Sequence, residues 1–268
     1  GNNVSVILSN LGHSSKALGF TAGFTGEALE NMLKEFGCDT AFIRLPEGST
    51  RINVKINAGE ETEINGQGPV ITEEAQSALF EQLDALKEED ILVLAGSIPN
   101  TLPSDIYERI LEHLQGRGIH FVVDATKELL LKVLKYHPFL IKPNNHELGE
   151  MFGVTLKTRD EIVTYAKKLQ KMGAENVLVS MAGDGAILLT EDGIIYKAKP
   201  PKGKVLNSVG AGDSMVAGFL TGYLNTGEYE KAFRLGVVTG SATAFQYWLA
   251  TKEDIVALME DKPETYGL

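Results

Sequence analysis

Asp90-Ile91-Leu92-Val93-Leu94-Ala95, followed at once by Gly96-Ser97-Ile98-Pro99, is the stretch on which the architecture turns. An apolar run this short, closed by a turn signal, reads as a strand buried on both faces. The same grammar recurs at Ile119–Val123, Phe139–Ile141 and Asn176–Val179, and each run leads into a stretch with helical spacing. Strand and helix in alternation is the βαβ pattern of a parallel sheet covered on both faces. The expected class is α/β, with a mostly parallel central sheet and helices on either side. Upstream, Val4, Ile7, Leu8 and Leu11 have helical spacing and Lys16–Thr21 reads as a strand. Ala28, Leu29, Met32, Leu33 and Phe36 make a second helical face, with Thr25 as its expected N-cap.

One segment breaks the alternation. Arg51-Ile52-Asn53-Val54-Lys55-Ile56 switches strictly between polar and apolar, as a strand with one wet face does. A turn containing Gly59 leads into Glu61–Asn65, which predicts a β-hairpin. Residues 40–68 are expected to form a small β flap on an α/β core made of 1–39 and 69–268. The alternative is an antiparallel edge of the main sheet.

The chain has 268 residues, 25 Lys+Arg against 36 Asp+Glu, a formal charge of -11 and one cysteine, Cys38. That length buries a full core. The acidic balance argues against a nucleic-acid sheath, which needs clustered Lys and Arg. One cysteine can form neither an internal disulfide nor a thiolate metal cage, and a cytoplasmic setting is the default. No apolar run approaches the length of a membrane span.

Ligands in an open parallel sheet bind beyond the carboxyl ends of the strands, and right-handed crossovers put those ends on one edge. Here the ends carry Gly96-Ser97, Asp124, Lys142-Pro143-Asn144-Asn145-His146-Glu147, and Ser180 before Ala182-Gly183-Asp184-Gly185. Each is an ordinary turn or cap residue taken singly; together they predict a polar cleft.

The sharpest local signal is Asn207-Ser208-Val209-Gly210-Ala211-Gly212-Asp213-Ser214, followed by Met215, Val216, Phe219 and Leu220 at helical spacing. Glycines at a helix start let backbone N–H groups approach an anion closely. A carboxylate beside such amides makes sense if Asp213 takes a proton from a hydroxyl while the amides stabilise a phosphoryl group in transfer. The plainer alternative is an acidic residue that stabilises the helix dipole. Met215 stands where a dinucleotide fingerprint needs glycine, and Gly203-Lys204-Val205 is no P-loop. Ser97 lacks a nucleophile-elbow sequence, and His146 reads as a helix-surface histidine. Trp248 reads as packing.

The run at 207–214 resembles the signature of the ribokinase-like carbohydrate kinases, in their phosphofructokinase-B branch. Asn144-Asn145-His146-Glu147 is similar to that family's Asn-x-x-Glu motif, and Ser180-Met181-Ala182-Gly183-Asp184-Gly185-Ala186 to its nucleotide loop. Lys142-Pro143-Asn144, Thr50–Lys55 and Glu61–Pro69 are most similar to the bacterial members that act on fructose 1-phosphate. The resemblance spans essentially the whole chain. It implies a ribokinase-like fold with a β lid, and ATP-dependent conversion of fructose 1-phosphate to fructose 1,6-bisphosphate. It further implies Asp213 as base, with Gly210, Ala211 and Gly212 as the anion hole. Ser180, Gly183 and Gly185 would line the ATP site, and Asn144 and Glu147 would organise Mg²⁺ through water. Asn3, Arg51 and Ser97 would contact the sugar phosphate, and the lid would pair two copies in a homodimer.

Alternatives are a tagatose 6-phosphate or fructose 6-phosphate kinase, and a non-catalytic sugar-phosphate sensor on the same scaffold. A nucleoside kinase suits Arg51 less well. Two departures stand out: the loop reads Ala182-Gly183 where relatives carry Gly then Ala, and Lys127 replaces a frequent glycine. Relatives also begin with a strand bearing a sugar-binding Asp and a Gly-Gly-Lys-Gly stretch. The expectation is a segment preceding Gly1.

Overall fold

Alternation within single strands sorts the side chains of the central sheet into two layers. The computed structural model describes residues 1–57, 61–96 and 98–268. In chain order the elements are α1 (Asn2–Asn10), β1 (Lys16–Ala17), β2 (Phe20–Ala22), α2 (Gly23–Glu35), β3 (Asp39–Thr40), β4 (Ile43–Leu45), β5 (Asn53–Asn57) and β6 (Glu61–Asn65). There follow α3 (Glu73–Leu83), β7 (Ile91–Ala95), α4 (Ile106–Leu114), β8 (His120–Asp124), α5 (Lys127–Val133), β9 (Leu140–Ile141), α6 (Asn145–Met151) and α7 (Arg159–Lys171). The chain ends with β10 (Asn176–Ser180), β11 (Ala186–Leu189), β12 (Ile195–Ala198), α8 (Ala211–Thr226), α9 (Tyr229–Ala244) and α10 (Lys252–Val256).

The main sheet has six strands in the order β12-β11-β10-β9-β8-β7. Strands β7 to β10 run parallel, and β11 and β12 add antiparallel pairs. Val122, Leu140, Leu178 and Leu188 pack on one side with Val4 and Ile7 of α1, Phe219 of α8 and Phe233 of α9. Their neighbours Phe121, Val123, Ile141, Val177, Val179 and Ile187 face the other side, with Leu111 of α4, Val133 of α5 and Leu169 of α7. Burying both faces is what makes these runs continuously apolar, and it confirms the α/β class. The parallel order also brings the ends at Gly96, Asp124, Lys142 and Ser180 to one edge.

Helices α8 and α9 lie against each other with almost no side chain between them at two points. A Cβ on Gly218 would sit 2.9 Å from the Leu235 carbonyl oxygen, and one on Gly236 would sit 2.9 Å from the Met215 carbonyl oxygen.

Three local expectations need correction. Lys16–Thr21 is not one strand: β1 pairs with β3 and β2 with β4, and Leu18-Gly19 separates them. Thr25 does not cap α2. The extended residue before that helix is Ala22, so Thr25 already lies in the first turn and its hydroxyl donates to the Thr50 carbonyl at 2.9 Å. Trp248 is not core packing; it is 58% exposed and stacks on Phe36 with ring centroids 6.5 Å apart.

Strands β5 and β6 pair antiparallel, with Val54 opposite Ile64. The expected Gly59 turn lies outside the described residues, as does Ser97. Among the described residues no helix is long and apolar enough to cross a membrane.

Candidate active site

The sequence before α8 builds its start. Gly210 occupies the N-cap position with φ 84°, a left-handed conformation that a residue without Cβ adopts at no steric cost. A Cβ there would also press on Leu249 Cδ2 at 2.8 Å. The first N–H groups of an α-helix have no carbonyl one turn behind them. The Ala211 N–H is taken by the Ser208 carbonyl at 3.2 Å, so Gly212 and Asp213 supply the outward donors of this turn.

Asp213 is in that first turn, with 20% of its side chain exposed. Asn3, on α1, donates from Nδ2 to Asp213 Oδ2 at 2.9 Å, and the Gly1 nitrogen lies 4.0 Å from Oδ1. The carboxylate is therefore held, partly open, beside a set of amides. Asn3, expected as a sugar contact, orients this carboxylate.

Asp124 and Lys142, read from sequence only as strand ends on this edge, lie beside that turn: a Cβ at Gly212 would come within 3.1 Å of Lys142 Nζ. Lys142 is 7% exposed, and its Nζ lies 3.2 Å from Asp124 Oδ2. Burial pushes the Asp124 carboxyl above its ordinary range; the Lys142 ammonium pulls it back and Asp213 adds to the rise. Tyr107, on α4, donates to the Gly96 carbonyl at 3.2 Å. Its hydroxyl is pushed up to about 12, mainly by burial, with Asp124 adding and Arg51 opposing. It stays a neutral donor across the physiological range. These mutual influences place Arg51, Tyr107, Asp124 and Asp213 in one neighbourhood. The signal that could have found Lys142 is its position: a lysine directly after a buried strand, at the edge where ligands gather.

The nucleotide-loop candidates sit further along the same edge. Ser180 bridges in parallel to Asn144, and its N–H reaches the Pro143 carbonyl at 3.2 Å. Asn144 and Glu147 form a reciprocal capping box on α6: Asn144 Oδ1 accepts from the Glu147 N–H, and Glu147 Oε2 from the Asn144 N–H, each at 2.8 Å. The Asn-x-x-Glu spacing thus has a complete local explanation. Its carboxylate still has lone pairs to offer a hydrated cation. Among the described residues no group of three or more His, Cys, Asp or Glu could cage a metal. Glu147 with Asn144 fits Mg²⁺, which keeps several waters and is shared with phosphates.

Gly183 and Gly185 differ in kind. A Cβ on Gly183 meets nothing within 4 Å, whereas on Gly185 (φ 90°) it would lie 2.0 Å from the Ala198 carbonyl oxygen. Ala182 holds φ 47° and bears the cost of a left-handed residue with a Cβ.

A cavity of about 780 Å³ runs along β7, lined by Val4, Leu8, Leu79, Leu83, Leu92 and Tyr107. Its walls are mostly apolar, and neither Asp213 nor Lys142 lines it.

The chain is similar to known proteins in sequence and in fold. Residues 1–253 match the family model described as pfkB family carbohydrate kinase. The chain is 53% identical over 261 residues to the 1-phosphofructokinase of Bacillus subtilis, across 97% of this chain and 86% of that protein. A D-tagatose-1-phosphate kinase of Bacillus licheniformis is 37% identical over 246 residues, across 91% of this chain and 80% of its own length. The Escherichia coli phosphofructokinase-2 structure in complex with substrates and products aligns with a TM-score of 0.88 at 28% identity, covering 96% of this chain and 85% of that one. With that match over nearly its whole length, and with a ribokinase-like sheet beneath the helix start that carries Asp213, the chain belongs to the pfkB family of carbohydrate kinases.

Proposed function

We propose that the protein transfers the γ-phosphoryl group of ATP to the C6 hydroxyl of fructose 1-phosphate, giving fructose 1,6-bisphosphate and ADP. The observation that carries this reading is Asp213, fixed by Asn3 in the first turn of α8 with the Gly212 and Asp213 amides beside it. Asp213 takes the hydroxyl proton as the sugar oxygen attacks phosphorus. The amides and the helix dipole stabilise charge on the equatorial oxygens. Positioning and charge are most of what phosphoryl transfer asks of a protein. Mg²⁺, when bound through Glu147 and Asn144, supplies neutralisation of the ATP phosphates. Ser180, Gly183 and Gly185 border the nucleotide.

The two similar bacterial enzymes act, by their names, on ketohexose 1-phosphates. That supports a 1-phosphate handle and leaves the C4 epimers fructose and tagatose as the close contest. An ADP-release assay over fructose 1-phosphate, tagatose 1-phosphate, tagatose 6-phosphate and fructose 6-phosphate decides it. The highest kcat/KM is expected for fructose 1-phosphate; a preference for either 6-phosphate overturns the assignment.

Arg51, two residues before the hairpin, is assigned to the sugar phosphate. Arg51→Ala is expected to raise the KM for fructose 1-phosphate roughly 10- to 100-fold, the reach of a charge-assisted hydrogen bond, with the KM for ATP little changed. Equal rises in both would mean a misfolded flap and remove Arg51 from substrate recognition.

The hairpin also suits a second copy. Ile52, Val54 and Ile64 are 61%, 46% and 57% exposed, and Val54 faces Ile64 across the ladder. Alternation puts all three on one face, an apolar surface that a matching sheet would cover. Val54→Lys with Ile64→Lys is expected to convert a dimer to a monomer in sedimentation; an unchanged mass excludes the hairpin as the interface.

A further inference from the structure

Lys142 leaves the end of β9 almost wholly buried, and lysine is rarely so unless paired. Its partner Asp124 ends β8, the adjacent strand, so the ion pair ties together two neighbouring carboxyl ends of the sheet. The same ammonium rests on the first turn of α8. A Cβ at Gly212 would come within 3.1 Å of Lys142 Nζ and 3.6 Å of Cε. Glycine at 212 is therefore what lets a full positive charge reach the turn whose N–H groups face outward.

We propose that Asp124 is a positioning residue that stations the Lys142 ammonium against Gly212, where this charge faces the phosphoryl group in transfer. The inference rests on the kinase reading above and deepens it by naming how the phosphate site is charged. A helix N-terminus offers the equivalent of only about half an elementary charge. ATP brings several negative charges to a protein whose own formal charge is -11, so a local cation matters more than long-range attraction. The lysine stem is flexible, and the 3.2 Å bond to Asp124 Oδ2 is what fixes its head beside the first turn of α8. During transfer the sugar oxygen bonds to the γ-phosphorus as the bond from phosphorus to the β–γ bridging oxygen breaks. The hydroxyl proton passes to Asp213. Lys142 keeps its proton, and Asp124 exchanges nothing.

A double-mutant cycle separates this role from a structural one. Lys142→Met is expected to lower kcat for fructose 1-phosphate by about 10²-fold, the usual effect of removing one stabilising donor. Asp124→Asn should cost about tenfold in the wild-type background, and within twofold of nothing once Lys142 is methionine. The same tenfold loss in both backgrounds means that Asp124 acts on its own and overturns the proposal, as does unchanged turnover in Lys142→Met. Asp124→Asn alone leaves a buried ammonium without its partner. If that variant does not fold, the comparison of Lys142→Met with Lys142→Met/Asp124→Asn, where both charges are gone, still decides: equal kcat supports the proposal and a further drop of more than about fivefold overturns it. Affinity for the non-hydrolysable ATP analogue AMP-PNP, measured by calorimetry on the same proteins, carries the second reading. Wild-type protein that binds the analogue but phosphorylates none of the four hexose phosphates sinks the kinase reading alone, and the cycle is then judged on analogue affinity, where the same non-additivity is required.

Discussion

Asp213→Asn is expected to lower kcat by about 10²–10⁴-fold while leaving the fold and substrate affinities close to wild type. The amide replaces the carboxylate atom for atom, and its oxygen can still accept the 2.9 Å hydrogen bond from Asn3. What it cannot do is take a proton from a sugar hydroxyl. The competing explanation for an acid in this position is stabilisation of the α8 dipole, an effect of about 0.3–1 kcal/mol. Loss of that alone would lower the melting temperature by about 1–4 °C and leave turnover intact. The two explanations differ by orders of magnitude in kcat, so steady-state rates with calorimetric melting on one variant distinguish them. Near-normal turnover would remove Asp213 from the chemistry.

The second large effect is on stability. Gly185→Ala is expected to lower the melting temperature by roughly 4–24 °C. Gly185 has φ 90° and ψ -134°, a region that side-chain-bearing residues avoid at a cost of about 1–3 kcal/mol. The added Cβ would also meet the Ala198 carbonyl oxygen at 2.0 Å and Lys199 Cα at 2.9 Å. Both are main-chain atoms at the end of β12, which pairs with β11 directly after Gly185, so they cannot rotate away as a side chain would. Overpacking adds about 1–3 kcal/mol, and each kcal/mol is worth about 2–4 °C in a protein of this size. Gly183→Ala is the control. Its Cβ meets nothing within 4 Å, so its melting temperature should not move, and any change in the KM for ATP then reports how closely nucleotide approaches that loop. An unshifted melting temperature for Gly185→Ala would refute the steric account.

Much of this architecture is readable from residues alone, and the reason is burial. Strands covered on both faces must be apolar throughout, so Ile91–Ala95 and Val177–Val179 announce themselves, and parallel order then forces their polar ends onto one edge. The helix start that carries Asp213 is legible because glycines ahead of an acid and an apolar run with helical spacing mark an N-terminus. The pairing of β1 and β2 with different partners is not legible, because Leu18-Gly19 breaks a run whose period never changes. Nor is the ion pair of Asp124 and Lys142, whose sequence neighbours say nothing of which strand ends lie side by side. The Asn144–Glu147 pair shows the opposite hazard: its spacing carries two meanings, a helix cap and a hydrated-metal ligand, and the same atoms can serve both.

The near contact of main chain with main chain at Gly218 and Gly236 has a mechanical consequence. Neither of the two long helices can slide past its neighbour without lifting one backbone over another, so the turn bearing Asp213 is anchored to the body of the molecule. On the proposed kinase reading, the α8 turn is then the fixed wall of the site, and any closing motion falls to segments outside this helix pair.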